Sequence, residues 1–182
     1  MSYCQKFYLA DLHLAHPGIL EHCPGTRQYA TTEEMDAAII DRINQRVGKN
    51  DILYVLGDFC LSGLPEYAAH LFHAINGRKR LVIGNHDLDR KGRLRKTLAA
   101  LPWDVPPQHS METTDGVDGS RIYLSHYAHR TWPAMRQGGY HFYGHSHGDM
   151  PALGRSRDVG IDVPDMDLGP KTFAELQETL DA

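Results

Sequence analysis

Cysteine is scarce: Cys4, Cys23 and Cys60 are the only three in 182 residues, an odd number with no CxxC spacing. That argues against a disulfide framework or a thiolate-bound zinc knuckle and fits a reducing, cytoplasmic setting. Long apolar runs are missing too. Asp11 interrupts the amino-terminal stretch before it reaches signal-peptide length, and no later stretch approaches ~20 apolar residues, so no segment is expected to span or cross a membrane. Basic charge is not in excess: 19 Lys and Arg stand against 23 Asp and Glu, a net charge of -4. This argues against a surface that binds nucleic acid all over and leaves room only for a local basic patch. A hydrophobic fraction of 41% and a charged fraction of 23% are those of a folded globular chain, and the length suits one domain over 1–182. The unusual count is histidine, at twelve.

The apolar stretches KFYLADLH, DILYVLGDF and RLVIGNHD read as strands that stop at acids, amides or histidines. Between them, TTEEMDAAIIDRINQRVGKN carries Met35, Ile39, Ile43 and Val47 near helical period, with Thr31 and Glu34 as a capping box, and LPEYAAHLFHAINGR is a second helix. A βαβαβ order predicts parallel strands with ligands at their carboxyl ends. Beyond Asp87, RKGRLRKTLAALP reads as a helix, HSMETT and RIYLSHY as a hairpin, and YHFYGHSH and RDVGID as further strands. The second half is therefore expected to be antiparallel. TFAELQETL, capped by Thr172 with Glu175, closes the chain. The connection 15–30 has two prolines, two glycines and no clear period, the composition of a functional lid.

The polar strand ends form a series: Asp11-Leu12-His13, Gly57-Asp58, Gly84-Asn85-His86-Asp87, Ser125-His126 and Gly144-His145-Ser146-His147. Singly, each has an ordinary explanation as a turn or a hydrogen-bonded core histidine. Jointly, five strand ends carry the Asp, Asn and His that suit hard or borderline divalent ions. Side chains at i and i+2 on an extended chain point the same way, so His145 and His147 can reach one site. The supply suffices for two ions, and Asp58 is the natural bridge between them. With Asp11 and Asp58 as the only anionic ligands, two dications leave a surplus of positive charge. That surplus favours an anionic substrate, and coordination lowers the pKa of water enough to supply hydroxide near neutral pH. Phosphate esters meet that demand.

This ordered series resembles that of the calcineurin-like metallophosphoesterases, from about Lys6 to Asp162. The resemblance implies an α/β fold, a four-layer α/β/β/α sandwich with two mixed β-sheets, and two divalent transition-metal ions, with manganese favoured and iron, zinc or nickel as alternatives. It implies Asp11, His13, Asp58 and His147 around one ion, and Asp58, Asn85, His126 and His145 around the other. His86 would act on the phosphate and leaving group, with Asp87 orienting it. His16, Arg27 and Arg130 are candidates for contacting a small phosphoester substrate, with phosphodiesters or nucleotide-like esters favoured over phosphomonoesters.

Rival readings are weaker. An HD-type phosphohydrolase places its ligands on helices, whereas His86-Asp87 follows a strand. A non-catalytic interaction module on this fold would be expected to have lost ligands, and none is missing. Five basic residues between Arg90 and Lys96 could contact nucleic acid, but a solvated face is the preferred reading.

Overall fold

The computed structural model describes residues 4–180, so the outermost ends of the expected 1–182 domain lie outside the described residues. Along the chain run β1 (Lys6–Leu9), α1 (Pro17–His22), α2 (Thr32–Arg46), β2 (Ile52–Leu56), α3 (Pro65–Ala74), β3 (Arg78–Val82) and α4 (Lys96–Ala99). They are followed by β4 (Ser110–Asp115), β5 (Ser120–Ser125), β6 (Tyr140–Tyr143), β7 (Ser156–Asp158), β8 (Lys171–Thr172) and α5 (Phe173–Glu178).

The first sheet has the order β3-β2-β1-β8, with β1, β2 and β3 mutually parallel and β8 antiparallel at the edge. β2, ILYVL, is buried at every position, as an apolar run in a parallel strand covered on both faces should be. Tyr8 and Tyr54 are register partners whose rings stack at 5.2 Å, and Tyr8 meets Phe142 of β6 edge-on at 5.3 Å, so this face packs on the second sheet. Alternation turns Phe7 and Leu9 the other way, where the Arg46 guanidinium of α2 lies over the Phe7 ring. Met35, Ile39 and Ile43 form the buried stripe of α2. Thr31 accepts from Glu34 N, but the Glu34 carboxylate reaches Ala30 N, one residue before the expected box. At α5 the expected box is complete: Thr172 accepts from Glu175 N and Glu175 from Thr172 N.

The second sheet has the order β4-β5-β6-β7. Its composition corrects the antiparallel expectation: β4 and β5 form the hairpin, whereas β5–β6 and β6–β7 are parallel. The connection from β5 to β6 crosses the outer face, where Trp132 lies on the His141 ring at 5.4 Å. With both sheets mixed, the molecule has the expected four-layered α/β arrangement around a core shared by the two sheets.

Two connections differ from expectation. The helix foreseen over RKGRLRKTLAALP is reduced to α4, because Asp89 gathers the amides of Lys91 and Arg93 and the Arg93 guanidinium into a loop that turns at Gly92 (φ 70°). The segment 15–30, without a clear period in the sequence, contains α1, which Pro17 starts at a position where its missing N–H costs nothing.

Candidate metal centre

Six parallel strands deliver their carboxyl ends to one edge of the molecule, and backbone geometry there is unusual. Asp11, His13, Asp58, His145 and His147 all have positive φ, between 47° and 70°, a conformation that side chains other than glycine rarely adopt. Such strain persists where surrounding structure over-determines it, and it concentrates at functional sites. Glycine makes the crowding feasible. A Cβ on Gly84 would collide with Asp58 Oδ1, and one on Gly144 would stand 2.6 Å from Asp11 Oδ2.

Asp11 and Asp58 lie at the centre, 0% and 1% exposed. Asp11 accepts from His145 N at 2.9 Å, and Asp58 Oδ1 from His86 N at 2.8 Å. Burial, then the neighbouring Asp58 charge, pushes the Asp11 carboxyl well above its usual range, which marks a need for positive charge. His13 Nε2 is 3.5 Å from Asp58 Oδ2 and, among the described residues, is the buried side-chain nitrogen or oxygen left without a hydrogen-bond partner. Burial and then His147 lower the His13 pKa to about 2, so the imidazole is neutral. His126 fixes its ring by Nδ1 to Leu56 O at 2.8 Å and sets Nε2 2.9 Å from Asn85 Oδ1 and 3.5 Å from Asp58 Oδ2. Ligand atoms converge in overlapping groups: Asp11 with His13 and His147, Asp11 with Asp58 and His126, and His13 with Asp58 and His86. A neutral imidazole with an unpartnered nitrogen beside two buried carboxylates fits divalent ions.

The remaining candidates separate. The His145 ring stands against His126 at 5.2 Å and Tyr127 at 4.6 Å. His16 belongs to the cluster, with Nδ1 3.1 Å from His13 Nδ1 and its ring 5.5 Å from that of His86. Asp87 does not orient the His86 imidazole. Its buried carboxylate accepts from the amides of Gly84, Asp58 and Phe59, tying β3's exit to β2's, and burial pushes its pKa up to about 7. His86 is held through its backbone instead, by Asp58 at its amide and by Arg95 Nε on its carbonyl at 2.8 Å. Arg27 is withdrawn as a substrate contact: it is 1% exposed and donates to Asp162 and to the carbonyls of Asp11 and Leu12. Arg130 is exposed and does not line the cleft.

That cleft, of about 520 Å³, is walled by His13, His16, His86, His145 and His147, with Ile19, His22 and Cys23 from the α1 segment opposite. Its lining contains no Lys or Arg. Two acids absent from the strand-end series complete the surroundings. Asp158 accepts from Ser146 Oγ at 2.7 Å and Gly148 N at 2.9 Å, shaping the His145–His147 turn. Asp162 accepts from Arg27 and from His147 Nδ1, both at 2.8 Å. Burial opposes the Asp162 charge, but the hydrogen bonds from Arg27 and His147 outweigh it and hold its carboxyl well below the usual range. Both lie in the stretch RDVGID, read from the sequence only as a strand: Asp158 ends β7 and Asp162 follows it by four residues.

Among solved structures, a protein of unknown function from Aquifex aeolicus superposes with a TM-score of 0.71 at 21% identity, over 97% of this chain and 100% of that one, a likeness of fold. An uncharacterized protein of Methanocaldococcus jannaschii is 34% identical over 88 residues, 48% of this chain and 49% of its own length. The Gene 66 protein of Mycobacterium phage D29 is 30% identical over 129 residues, 66% of this chain and 62% of its own. The chain thus spans about half to three-fifths of these two curated relatives. The sequence profile of the calcineurin-like phosphoesterases matches residues 8–149, which include Asp11, Asp58, His86, His126 and His147. The chain belongs to the calcineurin-like phosphoesterase family.

Proposed function

We propose that the chain is a metal-dependent phosphoesterase that holds two divalent transition ions and prefers phosphodiesters or nucleotide-like esters. The observation that carries the metal reading is the orphaned His13 Nε2 beside two buried carboxylates. Asp11, His13, Asp58 and His147 would hold one ion and Asp58, Asn85, His126 and His145 the other, with manganese favoured. Asp11 also lies within reach of the His126 group, so the two carboxylates share the central position. Bound ions supply Lewis acidity and lower the pKa of water toward neutrality.

The chain's own part is placement and proton transfer. Asp58 fixes the His86 backbone, and the His86 ring stands 5.0 Å from that of His13 on the cleft wall. From there it donates a proton to the departing oxygen. The diester preference rests on the cleft's lack of a fixed cation. A monoester near its dianion is best held by several donors around its terminal oxygens, whereas a diester carries a single negative charge. Comparing kcat/KM for bis-nitrophenyl phosphate and nitrophenyl phosphate in one Mn²⁺ buffer tests the preference. A tenfold advantage of the monoester, about 1.4 kcal/mol of transition-state discrimination, would reverse it. Turnover that survives thorough chelation would remove the metal reading altogether.

A further inference from the structure

We infer that Asp162 is a positioning residue that, locked by the buried Arg27 guanidinium, fixes His147 as the Nδ1–H tautomer and leaves Nε2 as its ligating nitrogen. The inference rests on the metal-centre reading above and extends it to a pair outside the ligand series.

Asp162 is 4% exposed and its two oxygens are fully engaged. Oδ1 accepts from Arg27 Nε at 2.8 Å and from the Thr26 hydroxyl, and Oδ2 accepts from Arg27 Nη2 and His147 Nδ1, each at 2.8 Å. A guanidinium is always a donor, so the forked contact presents a carboxylate, and a carboxylate only accepts. Nδ1 must therefore carry the hydrogen. The lone pair that remains on Nε2 belongs to the ring standing 5.2 Å from His13 in the Asp11–His13–His147 group.

Arg27 reaches further. Nη1 donates to Leu12 O at 2.8 Å and Nη2 to Asp11 O at 2.6 Å, so the same guanidinium clamps the exit of β1, which carries Asp11 and His13. One buried ion pair thereby sets the relative position of two ligand-bearing segments separated by over a hundred residues. Cys23 Sγ, 3.6 Å from His147 Nδ1, makes this corner resemble a further ion site. The guanidinium argues against that use, because a cation there would face a fixed positive charge with no free carboxylate lone pair aimed at it.

The test has two arms. Long-range nitrogen-15 NMR of the metal-stripped wild type should show His147 protonated on Nδ1, and a spectrum with the proton on Nε2 would overturn the inference without any variant. Calorimetric titration with Mn²⁺ should resolve two sites in the wild type. Asp162→Asn places an amide N–H toward either Arg27 or His147, and should weaken one site by ~10–100-fold while leaving the other within about twofold. Unchanged affinities, or equal losses at both sites as from general loosening, would overturn it. A wild type that binds no Mn²⁺ would instead bring down the metal-centre reading, while the NMR arm still reports the tautomer.

Discussion

A nitrogen without a partner is costly unless it has a use, and His13 Nε2 is such an atom. The same holds for Asp11 and Asp58, buried together while the nearby Arg27 guanidinium is committed to Asp162. Stability and ligand placement are therefore opposed at these residues. Asp58→Asn, which keeps an oxygen for His86 N, should raise the melting temperature of the metal-stripped protein by about 2–4 °C, the equivalent of roughly 1 kcal/mol in a chain of this size. The same variant should lose most of its response to Mn²⁺. Differential scanning calorimetry of the stripped and loaded forms checks both halves, and a variant that responds as the wild type does would exclude Asp58 as a shared ligand. His86→Ala should slow alkyl diesters by ~10²–10⁴-fold but nitrophenyl diesters far less, because nitrophenolate departs with little help from an acid. Steady-state kinetics on the two ester types reads the difference, and equal losses would leave His86 a phosphate contact only. Ligand-type residues were legible because they sit at strand ends. Arg27 was misread for a physical reason: a basic residue in a Gly- and Pro-containing connection looks solvated, and nothing local announces that a carboxylate 135 positions away will bury it.

Among the elements, β6 shows how polar groups in the second sheet are satisfied. His141 bridges its neighbours, with Nε2 2.8 Å from Ser125 Oγ of β5 and Nδ1 2.9 Å from Ser156 Oγ of β7. Burial, then the facing His129, lowers its pKa to about 3. The unfolded chain takes up this proton near pH 6.5 and the folded chain does not, so stability falls as pH drops from about 6.5 toward 3. The slope from this group is at most about 1.4 kcal/mol per pH unit. His141→Gln should flatten that acid limb while lowering stability at neutral pH, which urea unfolding at a series of pH values would show. An unchanged limb would mean that other groups govern acid unfolding. The sequence pattern identified the strands themselves well, since alternation and apolar runs depend on local burial. It misjudged the pairing of β5, β6 and β7, because short strands with polar ends look alike whether their neighbours run parallel or antiparallel. It also overextended α4, where the leucine period was real but Asp89 offered the backbone a competing set of hydrogen bonds.

For the whole molecule, the proposed centre links ion binding to folding, because its proposed ligands come from both sheets and are brought together only by the folded state. With both sites at a hundred times their Kd, Mn²⁺ should raise the melting temperature by about 10–20 °C, and a chelator should reverse the gain. A melting temperature indifferent to both would count against the centre. The overall architecture was legible because the ordered strand-end series runs through both sheets. The closing element at Asp158 and Asp162 was not, since its role depends on where the last parallel strand lies beside the others.

The pairing of Arg27 with Asp162 also bears on how the molecule is made. During synthesis the early strands emerge with Asp11, His13 and Asp58 long before the carboxylate that anchors both the first strand's exit and His147. Until that acid leaves the ribosome, the guanidinium lacks the carboxylate it forks onto and the two segments it joins have no common reference. The proposed centre would therefore be completed late, by a residue that belongs to neither proposed group of ligands, and an unfinished chain would offer free ions only a loose, incomplete grip.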